Sequence, residues 1–354
     1  MSHLRAVRGV LAPHRYSQED LTAAFAAVVG SHGVHRPLLN RFHANAGVSF
    51  RHLALPIERY AELADFGAAN DEFITVGTEL GAAAVTAALD AAGLTPGDVD
   101  LIVSATITGL AVPSLEARVA GRIGLRTDVK RVPLVGLGCV AGAAGIARIH
   151  DYLVGHPADV AVLMSVELCS LTVQRNDTSV ANLVASGLFG DGAAAVVMTG
   201  LDLPGPGTSS QPRVLASRSR LYPDTERAMG WDVGATGLRI VLGVEVPELV
   251  QSNVRPDVDD FLARHGLTRD DIEWWVAHPG GPKVLDALAE ALDVDATALG
   301  VTWASLDRIG NLSSASVLHV LADTLREHAP RPGSYGVLLA MGPGFCLELV
   351  LLRA

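Results

Sequence analysis

Val135-Gly-Leu-Gly-Cys139-Val-Ala-Gly-Ala-Ala-Gly145 is a stretch in which a short apolar run passes through glycines into small helix-forming residues. The pattern predicts a strand, a tight turn and a helix whose N-terminus carries Cys139. The free amide groups and the dipole of such an end favour negative charge by roughly 0.3–1 kcal/mol and lower the pKa of a thiol from about 8.5. Cys139 is therefore a candidate thiolate nucleophile. On this stretch alone, a small buried hydrophobic cysteine is an equally good interpretation.

A weak internal duplication brings two more polar residues to this cysteine. Leu94–Ala105 matches Leu267–His278 in its turn, its acidic positions and its apolar strand. Gly138-Cys139 follows the first strand, and Gly310-Asn311 follows the second at nearly the same distance. If the two halves pack about a pseudo-twofold axis, the helices that start at Cys139 and Asn311 face each other beside His278.

Each of these residues also has an ordinary structural interpretation. A histidine at the end of an apolar strand, such as His278, is more often structural than catalytic. Asn311 after a glycine is by default a helix N-cap. Because an N-cap presents its amide at a helix start, the two interpretations of Asn311 are compatible.

Composition and charge narrow the class of protein. The chain has 354 residues, of which 49% are hydrophobic and 18% charged, which predicts buried parallel strands covered by helices. The net charge of −11 argues against a nucleic-acid surface. Three cysteines without a CxxC pair disfavour disulfides and zinc, so we expect a reducing cytoplasm. We also expect no secretory signal and no membrane span.

Local patterns predict two helices and one domain boundary. A helix over 17–29 has serine and acidic residues at its start and Gly30 as its stop. Phe73–Ala92 is a long, closely packed helical stretch rich in alanine and glycine. Asp202–Pro212 is rich in Pro, Gly and Ser, and we place the boundary there, with domains at 1–205 and 206–354.

Five motifs in series then resemble the type III polyketide synthases, the relatives of chalcone synthase. They are Gly136-Leu-Gly-Cys139 with Val-Ala-Gly, Gly187-Leu-Phe-Gly-Asp-Gly192, His278-Pro-Gly-Gly-Pro282, Gly310-Asn-Leu-Ser-Ser314 and Met341-Gly-Pro-Gly344. The resemblance spans nearly the whole chain. It implies an α/β chain with the thiolase fold, a five-layer α-β-α-β-α arrangement of two duplicated halves, and a homodimer.

The resemblance also implies a mechanism. Cys139 takes an acyl starter from acyl-CoA, with His278 as its imidazolium partner. Asn311 and His278 stabilise the enolate that forms when malonyl-CoA loses carbon dioxide, and that enolate attacks the Cys139 thioester. Neither a metal nor another cofactor is implied beyond the CoA thioester substrates.

Further positions carry over from the family. Those along the substrate cavity are Phe189, Ile240, Cys169, Thr172, Thr108, Trp231 and Ser313. Arg41, Gly280 and Gly281 match positions that bind CoA, although Asn45 stands where a flanking lysine is expected. Val112 matches the position that reaches across the dimer into the neighbouring cavity.

The product follows less directly. Cys169, Ile240 and the run at 229–232 resemble bacterial alkylpyrone and alkylresorcinol synthases, because an aliphatic lining favours a fatty acyl starter. The alternative within the family is a malonyl-primed phloroglucinol or tetrahydroxynaphthalene synthase. Outside it, the cysteine, histidine and asparagine also suit a ketoacyl synthase III. A non-enzymatic alternative is a thiolase-fold subunit that only partners an active chain.

Overall fold

A computed structural model describes residues 1–29, 36–203 and 211–354. The strands are β1 Ser2–Leu11, β2 His14–Ser17, β3 Phe50–Leu53, β4 Leu101–Thr106, β5 Lys130–Val135, β6 Val160–Leu168, β7 Asp191–Thr199, β8 Arg213–Leu221, β9 Met229–Gly234, β10 Gly237–Leu242, β11 Ile272–Ala277, β12 Tyr335–Gly342 and β13 Cys346–Arg353. The α-helices are α1 Gln18–Val29, α2 Arg36–Ala44, α3 Phe66–Ala92, α4 Leu115–Ile123, α5 Ala141–Gly155, α6 Val180–Leu188, α7 Val246–Ala263, α8 Pro282–Leu292, α9 Gly300–Ile309 and α10 Ser316–Glu327.

The main sheet reflects the duplication of the sequence. Its strand order is β11-β12-β13-β8-β1-β7-β6-β4-β5. The first half contributes β1, β7, β6 and β4, and the second contributes β8, β13, β12 and β11 in the mirrored order. The halves meet where β1 and β8 pair through Ser2 with Val214 and His3 with Arg213. The duplicated halves predicted from the sequence are therefore confirmed.

Helices cover both faces of each half-sheet, which gives five layers. The first outer layer consists of α3 and α4, which pack on strands of the first half. The central layer consists of α5 and α10, which contact strands of both halves. On the other outer face, α7 and α8 share a buried apolar cluster with β11, β12 and β13. This arrangement confirms the α-β-α-β-α prediction.

Burial on both faces explains the continuous apolar strands. Every residue of β6 is buried. Leu163 faces the central layer, whereas Val162 and Met164 face the outer layer. Both faces must therefore be apolar, as in parallel sheets covered by helices.

The two copies of the duplicated segment begin with the same turn. Asp98 Oδ2 accepts hydrogen bonds from the backbone N and the hydroxyl of Thr95, both at 2.7 Å. Asp271 Oδ2 accepts the same two bonds from Thr268, at 2.7 and 2.8 Å. Each turn leads into the strand that ends beside the central layer, so this local motif sets the start of equivalent strands.

The predicted helices form with small shifts at their ends. The hydroxyl of Ser17 accepts a hydrogen bond from Asp20 N at 3.1 Å and caps α1. The long helix starts earlier than Phe73, because Asp65 accepts from Ala68 N at 2.9 Å and supplies an N-cap. Gly30 and the centre of the 202–212 linker, with the 205/206 boundary, lie outside the described residues, so the boundary stays a prediction.

Within the described ranges, α3 is the one helix long and apolar enough to cross a membrane. Half of its most apolar stretch is buried inside the protein. It packs across β1, β6 and β7. Its apolar character is therefore that of a core helix.

Candidate active site

Residues from both halves line a mainly apolar cavity of about 110 Å³. Cys139 comes from the first half, and His278 and Asn311 come from the second. The predicted meeting of these three residues is thus present in the structure, and it arises because the central helices of the two halves begin at the same place.

Cys139 lies in a single 3₁₀ turn, Gly138–Val140, that leads directly into α5. Gly138 has φ 58°, and a Cβ added there would lie 2.6 Å from Cδ of Pro343. Glycine is therefore required on both conformational and steric grounds. The Cys139 thiol donates to Ser313 Oγ at 3.5 Å, which ties it to the second half.

Asn311 follows Gly310 and precedes a short 3₁₀ turn that leads into α10. Its Oδ1 accepts from Ser313 N at 2.8 Å, as an N-cap does. With Oδ1 held in this way, Nδ2 is directed towards His278, 3.5 Å from Nε2 of the imidazole. The capping geometry and the presentation of the amide to the cavity therefore coexist.

His278 directly follows β11, and its backbone N donates to Leu339 O at 3.0 Å. The side chain is buried. In the described part of the chain, Nδ1 is buried and has no hydrogen-bond partner. Nδ1 therefore has no hydrogen bond to support it in the described chain, and Nε2 is the ring nitrogen that lies beside the Asn311 amide.

Burial disfavours the charged forms of both the Cys139 thiol and the His278 imidazole. It raises the pKa of Cys139 to about 12, with Glu167 and Cys346 adding to the shift and the Ser313 hydroxyl opposing it. Burial also lowers the pKa of His278 to about 3. Cys139 retains some accessible surface, but protein surrounds the thiol. The helix terminus, worth about 1 kcal/mol, opposes this effect only weakly, so burial favours a neutral thiol and a neutral imidazole, and the thiolate–imidazolium pair stays a prediction.

Glu167 was not singled out from the sequence, yet it organises the wall of the site. Its carboxylate accepts from Ile107 N at 3.1 Å, Thr108 Oγ1 at 2.8 Å and the hydroxyl of Ser314. Burial raises its pKa. A single acidic residue inside the apolar strand β6 is the sequence signal that identifies it.

Most of the predicted substrate-binding positions line this cavity. The lining residues are Phe189, Ile240, Cys169, Thr172, Thr108, Trp231, Ser313 and Gly280. Trp231 and Ile240 are directly paired across the β9–β10 hairpin, which places both on one wall. Burial also raises the pKa of Cys169, which favours the neutral form of this second thiol.

Three predicted positions lie away from this lining. Arg41 is exposed on α2. Gly281 is the residue before α8, with φ 135°. Val112 is 95% exposed in the loop after β4. Their roles in CoA binding and dimer contact stay predictions.

A second, larger cavity of about 780 Å³ adjoins the first. The two share seven lining residues: Thr108, Cys169, Thr172, Val173, Ala185, Ser186 and Phe189. Phe189 therefore lies between the cysteine and a space large enough for a long or folded chain.

Comparison with known proteins agrees with this geometry. The family described as "Chalcone and stilbene synthases, C-terminal domain" matches residues 213–354, and "FAE1/Type III polyketide synthase-like protein" matches residues 66–203. A 1,3,6,8-tetrahydroxynaphthalene synthase of Streptomyces peucetius subsp. caesius is 58% identical over 98% of this chain and 92% of its own length. A phloroglucinol synthase of Pseudomonas fluorescens is 29% identical over 96% of this chain and 95% of its own length.

A solved structure supports the same assignment. The 1,3,6,8-tetrahydroxynaphthalene synthase of Streptomyces coelicolor superposes with a TM-score of 0.91 at 32% identity, covering 100% of this chain and 99% of that one. The family matches, the near full-length relatives and the shared fold all agree. The chain therefore belongs to the type III polyketide synthases, decarboxylating condensing enzymes of the thiolase fold.

Proposed function

We propose that this enzyme builds 1,3,6,8-tetrahydroxynaphthalene from malonyl-CoA alone. The observation that carries the proposal is the 58% identity, over almost the full chain, to a synthase of that name. Five malonyl units that each lose carbon dioxide supply the ten carbons of a naphthalene skeleton. In the sequence-based interpretation this product was the alternative to an alkylpyrone or alkylresorcinol, and the degree of identity favours it.

Loading begins at the thiol. The pKa directions of Cys139 and His278 favour the neutral pair, so the proton leaves Sγ as the sulfur attacks the thioester carbonyl. His278 accepts that proton and passes it to the departing CoA sulfur. One thioester bond breaks and another forms, so no oxidant or reductant is needed.

Decarboxylation and condensation follow at the same place. The bond from the α-carbon of malonyl-CoA to its carboxylate breaks, and the electron pair remains as an enolate. Asn311 Nδ2 and a ring N–H of His278 donate to the enolate oxygen, where charge develops. The enolate carbon then attacks the Cys139 thioester, which releases the cysteine sulfur and leaves the extended chain on CoA. Transfer back to Cys139 permits another cycle.

The second candidate is the fatty acyl-primed synthesis of an alkylpyrone or alkylresorcinol. The observation in its favour is the adjoining 780 Å³ cavity, whose lining includes Leu53, Ile57, Leu63 and Phe66. An alkyl chain buried there would gain about 0.8 kcal/mol per CH₂.

Product analysis separates the two candidates. Purified enzyme is incubated with malonyl-CoA alone and with malonyl-CoA plus acyl-CoA starters of graded length, and products are identified by mass spectrometry. Tetrahydroxynaphthalene from malonyl-CoA alone is the expected result. Alkylated pyrones or resorcinols as the main products would favour the second candidate. Repeated extension without carrier protein also excludes a ketoacyl synthase III.

The same assay tests the nucleophile. Cys139→Ala should form no detectable polyketide from any starter, because no thioester can be held between cycles. Thermal unfolding of the variant serves as the control for folding. Polyketide formation by a folded Cys139→Ala enzyme would contradict the assigned role.

We also propose that the enzyme is a cytoplasmic homodimer. All three cysteines are free thiols, as expected in a reducing compartment. β5 lies at an edge of the main sheet and exposes Val132 and Val135. In the described chain, β5 pairs with β4. The exposed residue Val112 lies in the loop that follows β4.

A further inference from the structure

The C-terminal end of α6 is held by groups from three other elements. The last carbonyls of a helix have no partner within it. Here Ser186 O accepts from Arg51 Nη1 at 2.6 Å, and Gly187 O accepts from Gln18 Nε2 at 2.6 Å. Leu188 O accepts from Asn311 N at 2.9 Å. The helix end is therefore fixed from outside, carbonyl by carbonyl.

The segment that follows carries both Phe189 and the contact to Asn311. Phe189 O accepts from Arg51 Nη1 at 3.0 Å. Gly190 N donates to Asn311 O at 3.0 Å, which completes a parallel bridge with the bond from Asn311 N to Leu188 O. A shift at this helix end would consequently move the main chain of Asn311.

Arg51 lies beneath both segments. It is 4% exposed, and its Nε donates to Gln18 Oε1 at 3.0 Å. Its side-chain stem packs against Gly310, where an added Cβ would lie 3.1 Å from Arg51 Cγ and 2.7 Å from Leu188 O. Gly310 has φ 72°, so this glycine lets the chain pass tightly over the arginine just before Asn311.

The charge of Arg51 is balanced by Asp191. Burial lowers the pKa of Arg51 to about 10, and Asp191 opposes the shift, so the guanidinium remains a cation at neutral pH. Asp191 is buried and accepts from Ala54 N at 2.6 Å and Ser170 N at 2.8 Å. A cation at the C-terminus of α6 also meets the negative end of the helix dipole.

We propose that Arg51 is a positioning residue that sets the place of the Asn311 amide and of Phe189. Arg51 does not line the cavity of Cys139. It borders the adjoining 780 Å³ cavity and acts on Asn311 through the backbone of its neighbours. Arg51 Nη1 donates to two carbonyl oxygens, and Nε donates to the side chain of Gln18. The single nitrogen of a lysine side chain does not reproduce this geometry. This inference rests on the proposed role of Asn311 in decarboxylation.

The test measures decarboxylation of malonyl-CoA to acetyl-CoA, which depends on Asn311 without requiring a finished polyketide. Arg51→Lys, Asn311→Ala and the double variant are compared with the wild type. Arg51→Lys should lower kcat about tenfold to a hundredfold, because small misplacement of a catalytic group has effects of that size, with KM within about threefold. In the double variant, Arg51→Lys should add no further loss, since both changes remove the same interaction.

Two further variants make the result specific. Arg269 resembles Arg51 in donating to a helix-end carbonyl, Leu292 O, and pairing with an aspartate, Asp259, but it lies away from the cavity. Arg269→Lys should therefore leave decarboxylation unchanged. If Arg51→Lys does not fold, Gln18→Ala tests the same hydrogen-bond network, because it removes the partners of Gly187 O and Arg51 Nε. This variant should lower kcat by about threefold to tenfold.

The outcomes are distinguishable. If folded Arg51→Lys decarboxylates at the wild-type rate while Asn311→Ala is impaired, the inference about Arg51 is overturned and the role of Asn311 stands. Independent losses that multiply in the double variant would also overturn it, because Arg51 would then act by another route. Wild-type rates in both single variants would overturn the role of Asn311 as well.

Discussion

At Cys139, two physical effects of opposite sign act on one thiol. The helix start favours the thiolate by about 1 kcal/mol, whereas burial favours the thiol and raises its pKa to about 12. The local effect is visible in the sequence, but burial depends on every group packed around the sulfur. Burial therefore opposes the resting thiolate that the sequence predicts, and the two effects give opposite expectations for the free enzyme.

Alkylation kinetics check this protonation state. The rate of iodoacetamide modification of Cys139 in the free enzyme should still rise above pH 8.5, because the thiolate is the reactive form and its fraction grows as pH approaches a raised pKa. Mass spectrometry of the peptide that contains Cys139 gives the rate. A rate that is level from pH 7 upwards would contradict the neutral resting thiol.

At the scale of elements, the site depends on close contact between α5 and the turn before α10. A Cβ added to Gly142 would lie 2.3 Å from the carbonyl oxygen of Ser314 and 2.7 Å from Val317. The contact is with backbone, which cannot rotate away as a side chain can. Small residues after Cys139 are thus required for the two central helices to bring their first turns together.

Gly142→Ala tests this contact. It should lower the free energy of unfolding by about 1–3 kcal/mol, as overpacking does, and reduce polyketide formation because the turn with Ser313 and Ser314 must move. Chemical unfolding and product assays give the two readouts. Gly155→Ala in the same helix is the matched control, since its added Cβ meets nothing within 4 Å and should be neutral. Equal effects of both variants would contradict the proposed contact.

At the scale of the whole molecule, burial of histidines links stability to pH. Burial lowers the pKa of His43 and His319 to about 4 and that of His278 to about 3. Below pH 6.5 the unfolded chain binds protons that the folded chain does not, so stability is complete above that pH and falls towards pH 4. Burial raises the pKa of Asp191 to about 6, so the contribution of this group to stability falls as the pH rises towards 6, opposite to the histidines.

His319 offers a direct test of this linkage. It is buried, and its Nε2 lies 3.0 Å from Ala193 O. Between pH 7 and pH 5, the free energy of unfolding should fall by about 2 kcal/mol less in His319→Gln than in the wild type. The unfolding curves of the variant should therefore depend less on pH. Denaturant unfolding at both pH values measures the difference. Identical pH dependence in variant and wild type would exclude His319 as a source.

The free edge of β5 gives a test of assembly. Unpaired edges with exposed apolar side chains favour pairing with another chain. Light scattering should give a mass of about twice the 36.9 kDa chain, and Val132→Lys with Val135→Lys should shift the enzyme towards monomer. Val233→Lys on the exposed tip of the β9–β10 hairpin is the control and should remain dimeric. A monomeric wild type would overturn the proposed dimer.

Several features were predictable because their causes are local or periodic. Cys139 lies at a helix start because glycines and small residues follow an apolar strand. The two halves were recognisable because Thr95–Asp98 and Thr268–Asp271 form the same turn before equivalent strands. Continuous apolar runs indicated strands buried on both faces.

Other features arise only from the tertiary arrangement. The pKa shifts of Cys139 and His278 depend on groups distant in sequence. So do the hydrogen bonds of Arg51 at the end of α6 and the exposed position of Arg41. The amino-acid sequence by itself determined the family, the halves and the reactive residue types. Packing decided the direction in which their pKa values shift and the contacts that hold them, because desolvation and hydrogen bonding sum over all neighbours in space.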